Sequence, residues 1–283
     1  MRILLIGDTV GKPGRQIVIR ALAGLRIRER IDFVVVNAEN VAGGSGITPA
    51  IYHELISAGV DCITMGDHIY RRPEVFSILQ TEARIVRPAN YPPPAPGAEL
   101  AVHTAADGTR VGVFSLLGRV FMHPVDCPFR AADRVLKRFP HDIRVILLDF
   151  HAEATSDMQV MGRHLDGRVS AVLGTHTHVP TADEQILPGG TAFQCDVGMT
   201  GPCESILGRR IDRVLETTLT FRPTHFEVAS GDVRIHGTLV DVDPASGRAT
   251  AIRRLVVQQP EADQLAMRAR RRDTDCPAER GKL

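Results

Sequence analysis

Two histidines, His176 and His178, stand two positions apart after a short apolar run over residues 169–173. The run predicts a buried strand, and in an extended segment residues i and i+2 point to the same side. Both imidazole rings can therefore face one point. Neutral imidazole is the commonest metal ligand in proteins, so the pair suggests a metal site if other strand ends supply further ligands.

Other apolar runs of this chain also end in residues that can bind a metal. These residues are Asp8, Glu39 with Asn40, Asp67 with His68, and His151. Each taken alone has an ordinary explanation as a turn, a helix cap, a solvated loop or a semi-buried histidine. In open α/β sheets, however, ligands bind beyond the carboxyl ends of the strands. Five such ends carrying oxygen or nitrogen ligands together favour one shared site.

The candidate ligands are carboxylates, an amide and imidazoles, without a cysteine. This set disfavours structural zinc and suits Mn, Fe, Mg, Co or catalytic Zn. The ligands are too many for one tetrahedral ion. Two divalent metal ions about 3.5–4 Å apart, bridged by a carboxylate, are the natural interpretation.

The elements that must position these residues alternate along the chain. Apolar runs predict strands at residues 2–6, 33–36, 61–65, 111–117, 144–149, 169–173, 191–196, 233–242 and 249–257. Periodic patterns, with a cap at Thr48 and proline at position 49, predict helices at residues 13–30, 49–58, 131–139 and 155–165, with a short one from Pro73. Residues 198–205 read as a loop. The alternation indicates a single α/β domain.

Composition limits the possible classes of function. With 43% hydrophobic residues among 283, the chain can bury a sizeable core. Its net charge of +1 gives no strong nucleic-acid signal and no attraction to a membrane. Five cysteines without a C-x-x-C pair fit the reducing cytoplasm, where we expect the protein. Residues 258–283 are polar and arginine-rich and predict a loosely ordered C-terminal tail.

Several longer blocks are more specific than the individual residues. They are GDTVGKPGR, NAEN followed by GGSGIT, TMGDH, DFHAEATSDMQVMG, LDGRVSAVLGTHTHVPTADEQILPGGTAF and DVGMTGP. With these blocks the chain resembles the YmdB-like family of calcineurin-like metallophosphoesterases over residues 2–257. The resemblance implies an α/β fold, a four-layer α/β/β/α sandwich, with residues 1–257 as the metallophosphoesterase domain. It also implies a homo-oligomer.

The resemblance further implies a di-metal phosphodiesterase that hydrolyses 2′,3′-cyclic nucleotides to 3′-nucleotides by attack of a metal-bound hydroxide. The favoured metals are Fe or Mn, with Mg, Co or Zn as alternatives; no substrate-binding residue is assigned. The implied ligands are Asp8, Asn40 and His178 for one metal and Asp67, His151 and His176 for the other, with Glu39 bridging. His68 would stand over the phosphate as general acid or electrostatic stabiliser.

This chain departs from the family pattern in one ligand. The family usually has asparagine where this chain has Asp67, and residues 69–72 also differ from the more usual Thr-Trp-Asp. Two other functions compete: a phosphomonoesterase or 5′-nucleotidase on the same fold, and a metal-stabilised regulatory protein acting on RNA-processing partners. An intact His68 beside a full ligand set favours catalysis, because a purely structural site needs no spare acid.

Overall fold

We describe the protein from a computed structural model, which covers residues 1–275 and the side chains of residues 1–270. The strands in this part of the chain are β1 (Arg2–Ile6), β2 (Phe33–Asn37), β3 (Cys62–Thr64), β4 (Ile85–Val86), β5 (Leu100–Thr104), β6 (Arg110–Leu117), β7 (Val145–His151), β8 (Ala171–Thr175), β9 (Gln185–Ile186), β10 (Ala192–Gln194), β11 (Gly201–Glu204), β12 (Gly231–Val242) and β13 (Ala249–Gln258). The helices are α1 (Gly11–Glu29), α2 (Pro49–Ser57), α3 (Val75–Thr81), α4 (Pro128–Leu136), α5 (Thr155–Leu165), α6 (Ile211–Thr220) and α7 (Gln259–Asp275).

The strands form two sheets. One has the order β11-β12-β1-β2-β3-β4, with β13 also paired to β12, and the other has the order β5-β6-β7-β8-β10-β9. In the first sheet β1, β2, β3 and β4 run parallel. In the second sheet β6, β7, β8 and β10 run parallel. Each sheet therefore contains four adjacent parallel strands, and the carboxyl ends of these strands lie on the same side of the sheet.

Alternating side chains divide the interior into three apolar clusters. Along β1, Leu4 and Ile6 pack with α1 and α2, whereas Ile3 and Leu5 face the other sheet. A second sheet-to-helix cluster covers the opposite side with α4 and α5. The order helix, sheet, sheet, helix confirms the predicted four-layer α/β/β/α sandwich.

Local sequence signals place several helices where they were predicted. Helix α2 begins at Pro49, and the hydroxyl of its N-cap Thr48 accepts a hydrogen bond from Ile51 N at 3.5 Å. Helix α5 occupies residues 155–165 as expected. Helix α1 starts at Gly11, two residues before the predicted start at Pro13.

The predicted loosely ordered tail is wrong for its first part, because Gln259–Asp275 forms helix α7. Ala262 and Leu265 are buried against α1. Gly24 of α1 allows this approach, since a Cβ there would lie 2.3 Å from the Leu265 carbonyl oxygen. An ion pair between Arg20 and Asp263 adds to the contact. Only two apolar residues of this polar helix are buried, so the hydrophobic pattern of the sequence did not predict it. Residues 276–283 of the predicted tail lie outside the part of the chain that the structure describes.

The predicted loop over residues 198–205 also differs from the structure, since Gly201–Glu204 forms strand β11 against β12. Its glycine and proline hid an edge strand from the sequence pattern, because both residues are rare inside strands. Helix α6 and strand β5 were likewise missed. Neither has a strong buried pattern: no residue of α6 is buried by the described chain, and β5 has one.

Candidate metal centre

The predicted ligands lie where the parallel strands of both sheets end. Asp8, Glu39 and Asp67 follow β1, β2 and β3 in one sheet, while His151 and His176 end β7 and follow β8 in the other. Because the two sheets face each other, these ends converge from opposite sides. The structure therefore brings together residues far apart in sequence, as in the hydrogen bond from His176 N to Asp8 Oδ2 at 2.9 Å, which joins residues 168 positions apart.

One group of ligands is centred on the buried ring of His151. Its Nε2 lies 3.2 Å from Glu39 Oε2, 3.2 Å from Asp67 Oδ1 and 3.0 Å from Nδ1 of His176. Asp67, His151 and His176 each offer a ligand atom, and these atoms all lie within 4.8 Å of one another, close enough to hold one cation. This group contains the predicted set Asp67, His151 and His176 with the bridging Glu39.

A second group lies on the other side of Glu39. The Nε2 of His178 is 3.8 Å from Asp8 Oδ1 and 3.3 Å from Asn40 Nδ2. The Asn40 amide in turn donates to Glu39 Oε1 at 2.9 Å. Glu39 therefore turns one carboxylate oxygen toward each group, which is the arrangement that a bridging ligand requires.

The expectation that His176 and His178 lie in an extended segment is wrong. Their φ angles are +105° and +67°, so the chain turns after β8 ends at Thr175. The turn is held by Asp196, whose Oδ2 accepts hydrogen bonds from the Thr177 backbone N–H and hydroxyl at 2.9 and 2.8 Å. As a result the two rings enter different groups instead of facing one point.

Two observations indicate that these groups fit cations. The Oδ1 atom of Asp8 is buried and has no hydrogen-bond partner among the described residues, although a buried carboxylate oxygen without a partner is costly. The backbone at Gly66 also leaves room, since a Cβ there would lie 2.2 Å from Glu39 Oε2 and 2.4 Å from His151 Nε2. Oxygen and imidazole donors with an unsatisfied carboxylate are typical of a divalent metal centre.

The pKa values reflect crowded negative charge. Burial alone would lower the pKa of His151, but Glu39, Asp67 and Asp8 raise it to about 10. Burial would raise the pKa of Glu39, but the positive charge of His151 lowers it. Burial and the neighbouring charge of His151 lower the pKa of His176. Without a cation, one proton on His151 thus supplies part of the positive charge that the carboxylates require.

His68 lies beside the carboxylates, and its side chain is more exposed than that of His151. Its Nδ1 is 2.8 Å from Asn40 Oδ1 and 3.2 Å from Glu39 Oε1, and its Nε2 is 3.9 Å from Asp67 Oδ2. Burial lowers the pKa of His68, but the hydrogen bond and charge of Glu39 outweigh this, and its pKa is raised. These distances would also allow His68 to act as a ligand with Glu39 and Asp67.

The sequence pattern did not indicate the polar residues beneath the ligands. Asp149 is fully buried within β7, where it accepts hydrogen bonds from Thr64 Oγ1 and Thr175 Oγ1. Asp196 is also buried, and burial raises its pKa to about 8, with the charge of Asp8 adding to the effect. A carboxylate inside an otherwise apolar strand is the signal that could have identified Asp149.

The turn at residues 43–46 and two of the cysteines lie outside the two ligand groups. The turn of glycines 43–46 is held by arginines: Arg72 Nη2 donates to the Ala42 carbonyl at 2.9 Å, and Arg209 Nη1 donates to Gly43 O at 3.4 Å. Burial raises the pKa of the Cys195 thiol to about 12 and also raises that of Cys203. Both thiols therefore stay protonated, and neither is suited to act as a nucleophile.

Across the described residues we find no helix with the length and apolar character needed to cross a membrane.

Comparison with known proteins places this geometry in a family. The model of the YmdB-like protein family matches residues 4–255. A Bacillus subtilis (strain 168) protein named 2′,3′-cyclic-nucleotide 2′-phosphodiesterase is 43% identical over 257 residues, which cover 91% of this chain and 97% of that protein.

Solved structures agree with this relationship. A hypothetical protein from Thermus thermophilus has a TM-score of 0.85 and 42% identity, and the match covers 92% of this chain and 100% of that one. A protein from Mycoplasma pneumoniae, described as a novel phosphatase, has a TM-score of 0.85 and 30% identity, with coverage of 95% and 96%. With its converging ligands and near full-length similarity, the chain belongs to the YmdB-like protein family.

Proposed function

We propose that this protein is a di-metal phosphodiesterase that hydrolyses 2′,3′-cyclic nucleotides to 3′-nucleotides. The observation that carries the proposal is the convergence of Asp8, Glu39 and the histidines of two sheets around an unsatisfied buried carboxylate oxygen. The name of the Bacillus subtilis relative supports the substrate class. We place the enzyme in the cytoplasm, as its cysteine pattern predicts.

The two groups of side chains assign the ligands. Asp67, His151 and His176 would hold one ion, and Asp8, Asn40 and His178 would hold the other, with Glu39 shared between them. Asn40 must present its carbonyl oxygen to a metal. Its Nδ2 now faces His178, so binding requires the amide to turn over.

When bound, two divalent cations would supply Lewis acidity toward the phosphate and lower the pKa of water from 15.7 to around 7 in the best cases. The oxygen and nitrogen donors suit Fe or Mn, with Mg, Co or Zn as alternatives. The protein itself holds the ligand side chains in place at the buried carboxyl ends of the strands. Asp8, Glu39 and His151 are each at most 1% exposed, so their positions are set by packing.

The charge of the ligands suits a phosphodiester. Asp8, Glu39 and Asp67 bring three negative charges, against four positive charges from two divalent ions. The net positive charge attracts a phosphodiester monoanion. With asparagine at position 67, as in most of the family, the site would carry one more positive charge and attract the substrate more strongly.

His68 would serve the leaving group. Its Nδ1 lies 3.2 Å from Glu39 Oε1, and 27% of its side chain is exposed, so it can meet a substrate. The Glu39 carboxylate beside the ring raises the pKa of His68, which favours the protonated form. This proton would pass to the departing 2′ oxygen as the phosphorus–oxygen bond breaks.

A comparison of substrates tests the proposal against its alternatives. With added Mn²⁺ or Fe²⁺, we expect turnover of 2′,3′-cAMP to 3′-AMP and much slower hydrolysis of 5′-AMP and p-nitrophenyl phosphate. The opposite preference would indicate a phosphomonoesterase or 5′-nucleotidase. Absence of hydrolysis of all three by the metal-loaded protein would favour the regulatory function.

We also propose that the enzyme is a homo-oligomer that pairs through α6. Ile211, Leu215 and Leu219 line one side of this helix and are 42%, 44% and 75% exposed. An isolated helix of ten residues is marginal in water. Asp212 and Arg213 already pair within the chain, with Arg210 and Glu216, so the apolar stripe would make the contact with a second copy.

A further inference from the structure

Asp149 connects the two sheets directly beneath the proposed metal centre. Its Oδ2 accepts hydrogen bonds from Thr64 Oγ1 at 2.5 Å and from Asn37 Nδ2 at 2.9 Å, both in the first sheet. Its Oδ1 accepts from Thr175 Oγ1 at 2.7 Å in the second sheet. All four residues are fully buried, so these hydrogen bonds are shielded from water.

The hydrogen-bond directions can be followed from Asp149 to His151. The Thr175 hydroxyl has one hydrogen, and it donates this hydrogen to Asp149 Oδ1. Its oxygen therefore accepts from Nδ1–H of His151, at 2.8 Å. A carboxylate can only accept, so Oδ1 takes the hydrogen of Thr175 while Oδ2 takes those of Thr64 and Asn37.

The direction of these hydrogen bonds determines which nitrogen of His151 can bind a metal. When a cation displaces the extra proton that metal-free His151 carries, the proton that remains lies on Nδ1, and the lone pair of Nε2 points at the space shared with Glu39 and Asp67. Metal-binding histidines generally have their other nitrogen fixed by such a partner, and loss of the partner typically weakens metal binding about 10–100-fold.

We propose that Asp149 is a positioning residue that acts through Thr175 to hold the proton of His151 on Nδ1 and so present Nε2 to a divalent cation. This inference rests on the proposed metal centre. Asp149 touches neither substrate nor metal in this account. Its role is to fix the hydrogen-bond direction two steps away.

Asp149→Asn should reverse the direction of the hydrogen bonds from residue 149 through Thr175 to His151. The Asn37 Nδ2 group can only donate to its neighbour, so the new amide would place its carbonyl there and its NH₂ toward Thr175. The Thr175 hydroxyl would then donate to Nδ1 of His151, and the proton of His151 would move to Nε2. A protonated Nε2 cannot bind a cation.

Metal affinity of the purified full chain tests this proposal. We would strip the protein with a chelator and measure Mn²⁺ stoichiometry and affinity by calorimetry. Asp149→Asn and Thr175→Val should weaken one of the two ions about 10–100-fold, whereas Thr175→Ser, which restores the hydroxyl, should bind as the wild type does. Thr64→Val is the matched control, because it removes a hydrogen bond to the same carboxylate outside the chain to His151.

Each outcome decides the proposal. If Asp149→Asn fails to fold, the difference between Thr175→Val and Thr175→Ser decides it. Undiminished Mn²⁺ binding by Thr175→Val, or an equal loss in Thr64→Val, would overturn the positioning role while leaving the metal centre intact. A wild-type protein that binds no Mn²⁺ would overturn the metal centre and this role together.

Discussion

His68 has a side chain that is 27% exposed, close to the 24% of His176, whereas His151 is fully buried. The Nδ1 atom is engaged by Asn40 and Glu39, while the side chain retains contact with solvent. The ring of His151, by contrast, is fully buried, and its Nε2 faces the carboxylates of Glu39 and Asp67. Exposure therefore does not by itself separate His68 from the proposed ligands, and the metal content of a variant has to do so.

His68→Ala is expected to reduce kcat on 2′,3′-cAMP by about 10²–10⁴ with both metals retained. The loss follows because the departing oxygen no longer receives a proton. Turnover and metal content should be measured on the same sample. His164→Ala, on the outer helix α5, is the control and should leave both unchanged; missing metal in His68→Ala would instead identify His68 as a ligand.

Asp67→Asn is expected to keep turnover within about tenfold, a change of about 1.4 kcal/mol in the barrier, while changing the metal preference. An amide can replace one carboxylate ligand but binds cations less tightly, since it carries no charge. Turnover after reconstitution with Mn²⁺, Fe²⁺ or Zn²⁺ measures the preference. Complete loss of hydrolysis with two metals still bound would contradict the assigned role.

At the residue scale, the sequence was informative where a ligand follows a strand and silent where a polar group lies beneath it. Asp8, Glu39 and His151 could be predicted because the ends of parallel strands meet at one edge. The turn at His176 could not, because it depends on Asp196, which lies 19 positions beyond Thr177 and is brought close only by the fold. Such contacts leave no local pattern.

Among the elements, α7 packs against α1 and covers it. Arg28 of α1 pairs with Glu261, and Leu265 packs beside Gly24. Because α1 follows the loop that carries Asp8, the cover stabilises the first strand-to-helix unit of the site. The polar composition of α7 concealed it, since only two of its described side chains, Ala262 and Leu265, are fully buried.

Leu265→Ala is therefore expected to destabilise the protein by about 2–4 kcal/mol, as buried leucine truncations do. Met267→Ala on the same helix is the control, because its side chain is 59% exposed and a surface change typically stays within about 0.5 kcal/mol. Chemical denaturation would measure both free energies of unfolding. Equal effects of the two substitutions would mean that α7 does not pack on α1 in solution.

For the whole molecule, the apolar pattern of the sequence predicted the sheet and helix layers better than it predicted the peripheral elements. Continuous runs such as those of β2 and β7 predict buried parallel strands, and the interior between the sheets follows from their alternation. Helix α6 at the periphery has an exposed apolar stripe and no buried residue within the described chain. Its proposed partner is a second copy of the chain, so no intramolecular pattern could place it.

Replacing Leu215 and Leu219 together with glutamate is expected to shift the protein from oligomer to monomer, because like charges would then face each other across the proposed contact. Light scattering after size-exclusion chromatography measures the mass. Val160→Glu is the control, as Val160 is 54% exposed on α5. A wild type that is monomeric at micromolar concentration would contradict the pairing.

Ligands from two sheets are proposed to bind two cations, and the number of cations per chain tests this most directly. We predict that Mn²⁺-reconstituted protein, after dialysis, carries about two ions per chain by elemental analysis. His178→Ala should reduce this number to about one, since His178 belongs to only one of the two groups. A wild-type protein without bound metal, or a His178→Ala variant that keeps both ions, would contradict the two-metal site.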